Sequence, residues 1–139
     1  MVNYDKHACV TNCRIDLIAR VQVLDTKAIP FESLPGKARA MDLADYAKYA
    51  LNMCDGPVVT AVLRLKAERF GDIIDWFGKE AEITGQEPDG FIRVKVRASD
   101  NGLRIWALQY GRFVEVLSPA DLRQQIRQDV TEMAERYAK

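Results

Sequence analysis

Cysteine and histidine are scarce in this chain, with three cysteines and one histidine among 139 residues. An odd and small number of cysteines cannot build a disulfide framework, so a reducing, cytoplasmic environment is expected. His7, Cys9 and Cys13 lie close in sequence. A structural zinc site normally needs four ligands, however, and no second pair of Cys or His residues follows. We therefore expect no metal and no cofactor.

The sequence also lacks a long apolar run, a secretory signal and a net charge. No apolar stretch approaches the roughly 18 residues that span a bilayer. The first residues, MVNYDKH, lack the basic-then-apolar order of a signal peptide. Lys and Arg together number 20, as do Asp and Glu, so the formal net charge is zero. Contact with nucleic acid would therefore need a local basic patch, and no membrane contact is expected.

Catalytic motifs are missing as well. His7 has no serine-elbow motif or second base near it in the sequence. Gly85, Gly90 and Gly102 are isolated, so there is neither a phosphate-binding loop nor a dinucleotide fingerprint. We therefore expect that the chain is not an enzyme.

The first part of the chain contains short, mixed elements. Alternation of apolar and polar residues predicts strands over Val10–Ile18 and Arg20–Leu24. Asp42 is placed to cap a helix that carries an apolar stripe from Leu43 to Leu51. Two strands and one helix are marginal on their own. We therefore expect these strands to pair elsewhere in the chain or with another chain.

The second part is strongly patterned. Strands are predicted at Val58–Ala67, Glu80–Thr84, Phe91–Ala98 and Phe113–Leu117. Helical spacing of apolar residues is found from Phe70 to Phe77 and from Leu103 to Tyr110. Ser118 and Pro119 predict the start of a last helix. Its apolar stripe comprises Leu122, Ile126, Val130, Met133 and Tyr137.

This order of elements predicts an α+β fold. Two split βαβ units give a ferredoxin-like βαββαβ antiparallel sheet with both helices on one face, followed here by an extra C-terminal helix. If Leu63, Leu65, Val94 and Val96 face the helices, strand parity places a basic set on the other face. That set is Arg64, Arg93, Lys95 and Arg97.

Two interpretations of the basic set are open. A hairpin around residues 88–90 would put Glu82 opposite Lys95 and Glu80 opposite Arg97, giving a solvated face with cross-strand ion pairs. Alternatively, the set is a platform for an anionic ligand or a nucleic-acid backbone. Such platforms usually add aromatic residues, and only Phe91 and Phe113 are candidates. The shortage of aromatics favours the ion-paired face.

Several stretches of the second part resemble the WCX domain, the C-terminal extension of WYL-domain transcriptional regulators. They are FGDIIDWFG at residues 70–78, RVKV at 93–96, WALQYG at 106–111 and VEVLSP at 114–119. Upstream, YDKH at 4–7 and CRIDLI at 13–18 resemble the end of the WYL domain, a small Sm-like barrel. Residues 42–53 are similar to the helix that links barrel and extension.

The resemblance implies three segments. Residues 1–41 would be a C-terminal remnant of the WYL domain with two strands of a partial Sm-like β-barrel hairpin and a loop. Residues 42–56 would be the linker helix, and residues 57–139 the ferredoxin-like WCX domain. The Trp-Tyr-Leu strand and the winged helix-turn-helix of such regulators are not in this sequence. The chain would thus be the last third of a regulator.

For function, the resemblance implies a ligand-sensing and oligomerising module of a bacterial transcriptional regulator. The strand arginine of the family's basic pocket corresponds to Arg14, with Asp16 as its orienting partner, while Leu17 replaces a second basic residue. The extension would contribute Arg64, Arg93, Lys95 and Arg97. A nucleotide or oligonucleotide is the implied effector, and DNA contact would need the absent helix-turn-helix.

We also predict a homodimer that exchanges strands through residues 10–24, because domain swapping is a low-cost route to association. The alternative function is a stand-alone ferredoxin-like domain that binds a small anionic metabolite.

Overall fold

The computed structural model describes residues 2–3, 9–10, 15–30, 33, 43–54 and 56–138. The chain divides into two compact units, residues 1–46 and 47–139. In the first unit, strands β1 (Val2–Asn3) and β2 (Cys9–Val10) pair antiparallel, with Val2 opposite Val10. None of the helices in the described ranges is long and apolar enough to cross a membrane.

The rest of the first unit differs from the predicted pair of strands. Ile15–Leu17 form a turn of 3-10 helix, and residues 18–30 contain no strand. The apolar side chains that suggested a strand at Arg20–Leu24 are solvent-exposed, Val21 by 79% and Val23 by 92%. An alternating sequence becomes a strand only when a neighbouring strand satisfies its backbone. No such neighbour is present among the described residues of this unit.

Helix α1 (Leu43–Tyr49) is shorter than the predicted linker helix. The proposed capping residue, Asp42, lies outside the described residues. After Tyr49 the chain turns through a 3-10 segment, Leu51–Met53, in which Asn52 and Met53 have φ of 54° and 57°. These left-handed backbone angles are incompatible with a continuing α-helix, so the helix ends before the second part begins.

Four strands form the antiparallel sheet of the second unit. They are β3 (Val58–Lys66), β4 (Glu82–Gln86), β5 (Phe91–Ser99) and β6 (Val114–Ser118), in the spatial order β4-β5-β3-β6. The central pair, β3 and β5, is in register throughout, with Leu63 opposite Val94 and Arg64 opposite Arg93. The helices are α2 (Phe70–Phe77), α3 (Asp100–Tyr110) and α4 (Ala120–Tyr137).

The core lies between one face of this sheet and the helices. It contains the alternate residues of β3 and β5 together with Ile73 of α2 and Trp106 of α3. Leu63, Leu65, Val94 and Val96 are all buried, so the strand parity deduced from the sequence is confirmed. The second unit therefore has a mixed helix and sheet architecture with a C-terminal helix, and its described helices pack on one face of the sheet.

Two element ends differ from prediction. Strand β4 begins at Glu82, because residues 78–80 form a 3-10 turn after α2. Ser118 does not cap the last helix: it is the final residue of β6, paired with Val62, and α4 begins at Ala120. The apolar stripe of α4 is buried at Leu122 alone and leaves the core beyond Ile126.

Candidate functional site

The face of the sheet opposite the core carries the basic residues predicted from the sequence. We call it the open face; it comprises Thr60, Val62, Arg64 and Lys66 of β3, Phe91, Arg93, Lys95 and Arg97 of β5, Glu82 of β4 and Glu115 of β6. Because successive residues of a strand point to opposite sides, these side chains lie opposite the buried core residues. The structure thus brings the four predicted cations of β3 and β5 onto one surface.

Glu87, in the loop between β4 and β5, joins two of these cations. Arg64 and Arg93 are direct cross-strand neighbours, a placement in which like charges repel. Arg64 Nε donates to Glu87 Oε2 at 2.8 Å, and Arg93 Nε donates to Glu87 Oε1 at 2.9 Å. A single carboxylate therefore bridges both guanidinium groups and offsets their repulsion.

Arg64 has further partners. Its Nη2 donates to Asp89 Oδ2 at 2.9 Å, and its Cζ lies 3.7 Å from the centre of the Phe91 ring. Hydrogen bonds from Arg64, and secondarily from Arg93, lower the pKa of Glu87, while the bond to Glu87 raises the pKa of Arg64. The hydrogen bonds therefore stabilise the charged form of both groups.

This coupling makes stability depend on pH. The pKa of Glu87 is lower in the folded chain, so its stabilisation is complete above the unfolded value of about 4.3 and is lost as pH falls through the folded value. We expect Glu87→Gln to lower the urea midpoint at pH 7, and the difference from wild type to shrink at pH 3. Glu135→Gln, on the exposed side of α4, is the matched control and should change neither midpoint. A difference for Glu87→Gln that does not vary with pH would contradict the bridging role.

The other two predicted cations, Lys95 and Arg97, are also paired. Lys95 Nζ lies 2.6 Å from Glu82 Oε2, and these residues face each other across β4 and β5, as predicted. Arg97 does not face Glu80, because Glu80 lies before β4. Instead, Arg97 Nη1 donates to the Tyr49 hydroxyl at 3.1 Å, and that hydroxyl donates to Glu80 Oε2 at 3.0 Å. Hydrogen bonds from Lys48, and then Tyr49, lower the pKa of Glu80.

Of the two ligand-binding residues predicted in the first unit, the structure describes one. Asp16 lies in the turn Ile15–Leu17 and its side chain is exposed, whereas Arg14 lies outside the described residues. Their predicted roles as ligand-binding residues therefore stay predictions. His7 and Cys13, which were considered as metal ligands and not predicted to be such, also lie outside the described residues. In the parts of the chain that the structure describes, no cluster of His, Cys, Asp or Glu could hold a metal ion.

Residues 57–134 match the family model of the WCX domain, which is more than half of the chain. The chain belongs to the WCX domain family. This domain is the C-terminal extension of WYL-domain regulators, so the resemblance noted in the sequence is confirmed. The match runs from β3 into α4 and includes every cation of the open face. No curated protein matches the chain significantly.

Three residues that shape the open face of this WCX domain were not selected from the sequence. Glu87 and Asp89 flank Pro88 at the turn between β4 and β5, so placing that hairpin in register could have identified them. Tyr49 has no such signal, because it reaches Arg97 from α1, 48 positions away in the sequence. Only the three-dimensional structure reveals that contact.

Chemically, the open face is an ordered set of cations held by hydrogen bonds, rather than a row of free charges. Two of its carboxylates are well exposed: the side chains of Glu82 and Asp89 retain 61% and 56% of their accessible surface. Such solvent-exposed pairs are weak and screened by salt. These two ion pairs are therefore the weakly held ones, whereas the less exposed Glu87 keeps Arg64 and Arg93 aligned.

Proposed function

We propose that the chain is the ligand-sensing and oligomerising module of a bacterial transcriptional regulator, acting in the cytoplasm. The observation that carries this proposal is the match of residues 57–134 to the WCX domain. The proposal assigns no catalysis to the chain. Any contact with DNA would belong to a helix-turn-helix outside this sequence.

We also propose a structural role for each of the three segments of the chain. Residues 57–139 form a ferredoxin-like domain, supported by the chain order of strands and helices and by the sheet order β4-β5-β3-β6. Residues 1–41 belong to the end of a WYL domain, supported by the short antiparallel pair β1 and β2. Residues 42–56 are the connection between them, of which Leu43–Tyr49 are helical.

The effector-contacting surface in this proposal is the open face, and the effector is a nucleotide or oligonucleotide. Four cations along two adjacent strands give a track that follows a chain of phosphates. The exposed carboxylates of Glu82 and Asp89 would leave the cations when phosphate arrives. Within the first unit, Arg14 and Asp16 are the residues proposed to contact the effector.

The double variant Arg93→Ala with Lys95→Ala should abolish binding of a fluorescent single-stranded oligonucleotide at low salt. The slope of log affinity against log salt should be lost with it, because each phosphate contact to a single strand contributes about 0.7 to that slope. Anisotropy titrations at several salt concentrations measure both quantities. The control Lys79→Ala with Arg136→Ala removes the same charge outside the open face and should retain binding. Equal losses in both double variants would contradict the assignment.

Oligomerisation is proposed through residues 10–24. The support is the run of exposed apolar side chains in the first unit, Ile15, Leu17, Val21, Val23 and Leu24. Surfaces of this kind mark interaction sites in soluble proteins. Pairing of the segment with its copy in a second chain would supply a neighbouring strand, which the described residues of its own unit do not supply.

We expect the chain to be a dimer whose mass falls towards that of a monomer on dilution. Val21→Lys with Val23→Lys should shift the equilibrium to monomer, because charged residues would have to be buried in the interface. Size-exclusion chromatography with light scattering over a range of loading concentrations measures this. Arg20→Lys with Gln22→Lys, on the alternate positions, is the control. A wild-type monomer at every concentration would favour the alternative, a stand-alone domain that binds a small anionic metabolite.

A further inference from the structure

A second group of cations lies at the end of the sheet where β3 finishes and β5 and β6 begin. Here the chain forms a cleft of about 260 Å³. We call it the end cleft; it is lined by Lys66, Glu68, Arg69, Phe91, Arg112 and Phe113. Only Lys66 and Phe91 belong to the open face, and neither is among the four cations discussed above.

One ring of the end cleft, Phe113, contacts two of its guanidinium groups. Arg69 Cζ lies 4.5 Å from the centre of the Phe113 ring, and Arg112 Cζ lies 5.7 Å from the same centre. Contacts of this length are cation–π interactions, which orient the charged groups over the ring. Phe113 nevertheless remains 43% exposed. The cleft therefore combines convergent positive charge with an accessible aromatic surface.

Acidic partners offset the positive charge less completely here than around the four predicted cations, which are Arg64, Arg93, Lys95 and Arg97. Those four each contact a carboxylate or the Tyr49 hydroxyl. Within the described part of the chain, Lys66 and Arg112 form no ion pair, and Arg69 meets Asp72 only at 3.4 Å. Among the described residues, Glu68 is the one carboxylate that lines the cleft. Three cations thus face one acidic side chain, an imbalance that attracts an anion.

We propose that the end cleft binds the phosphoryl group of a small phosphomonoester whose organic part carries a flat ring. A phosphoryl dianion has the charge and the several acceptor oxygens that a group of Arg and Lys donors recognises. The cations converge on one small cleft instead of following a strand, which favours a compact ligand over a polymer. The exposed surface of Phe113 provides a stacking partner for the ring of the ester.

The inference goes beyond the proposed function, because Arg69, Arg112 and Phe113 have no part in the open-face assignment. Isothermal titration of the full chain at low ionic strength with adenosine monophosphate and with inorganic phosphate tests it. We expect Arg112→Ala and Lys66→Ala each to weaken binding of the monophosphate by about fivefold or more, since each removes a charged donor. Glu68→Gln should strengthen it by removing the opposing carboxylate.

Controls separate this site from other sources of binding. Lys79→Ala, at the other end of α2, removes one positive charge and should leave the affinity unchanged. Arg112→Ala should leave the binding of a single-stranded oligonucleotide without a terminal phosphate unchanged, so failure of the end cleft and failure of the open face can be told apart. Phe113→Leu should weaken the binding of adenosine monophosphate more than the binding of inorganic phosphate.

Three results would overturn the proposal. The first is no binding of adenosine monophosphate by the wild-type chain. The second is equal affinity for inorganic phosphate and adenosine monophosphate, since the ring would then contribute nothing. The third is binding, dependent on Arg112, only of an oligonucleotide without a terminal phosphate, because the cleft would then recognise a polymer.

Discussion

Replacing Gly102 by alanine is expected to destabilise the second unit by about 2 kcal/mol, the cost typical of overpacking a tight contact. A loss of stability is unusual for this substitution, because replacing glycine by alanine in an exposed helix interior normally stabilises the helix by about 1 kcal/mol. Gly102 lies in α3 and is buried. A Cβ at this position would lie 2.6 Å from the Leu51 carbonyl oxygen and 2.6 Å from Ser99 Oγ. The backbone of residue 51 therefore approaches α3 too closely for any side chain.

Gly71→Ala in α2 is the matched control. A Cβ there would meet nothing within 4 Å, so this substitution should be neutral or stabilise by up to about 1 kcal/mol. Urea denaturation followed by circular dichroism gives both free energies of unfolding. If Gly102→Ala is as stable as Gly71→Ala, the turn Leu51–Met53 does not pack on α3 as described.

Truncating Trp106 to alanine is expected to cost about 3–5 kcal/mol, the range for large aromatic residues in a core. The Trp106 side chain is only 1% exposed, and its ring packs against those of Phe77 and Tyr110, with centres 4.9 and 5.0 Å apart. A loss of this size is comparable to the whole stability of a small domain. We therefore expect most of the Trp106→Ala chain to be unfolded at 37 °C.

The neighbouring residue provides the control for Trp106. Ile105 is 50% exposed on the same helix, so Ile105→Ala should cost less than about 1 kcal/mol. Trp106→Phe should retain much of the stability, because it keeps a ring in the core and removes an indole N–H that has no hydrogen-bond partner among the described residues. Thermal unfolding monitored by circular dichroism ranks the three variants. Equal losses for Trp106→Ala and Ile105→Ala would contradict the described core.

Much of the second unit could be predicted because its sequence patterns coincide with burial. The alternation along β3 and β5 indicated which residues face the helices, and this also placed Arg64, Arg93, Lys95 and Arg97 on one surface. Pairing of Glu82 with Lys95 followed from the hairpin turn between β4 and β5. These features depend on short-range periodicity, which the sequence displays directly.

Features that depend on contacts distant in sequence could not be predicted. Glu80 lies in the 3-10 turn of residues 78–80 and not in the strand, so it does not face Arg97 as predicted. Arg97 instead contacts Tyr49. Arg20–Leu24 alternates like a strand, yet a strand needs a partner that the pattern itself cannot supply. The close approach of Leu51 to Gly102 likewise joins segments that share no local signal.

The central claim is that the open face contacts the effector. Amide chemical shifts of the full wild-type chain, recorded by NMR during titration with a single-stranded oligonucleotide at low salt, test this claim most directly. We expect saturable shifts concentrated at residues 60–66 of β3 and 93–97 of β5, reversed by added salt. Absence of binding at low salt, or shifts confined to the helical side of the sheet, would contradict it.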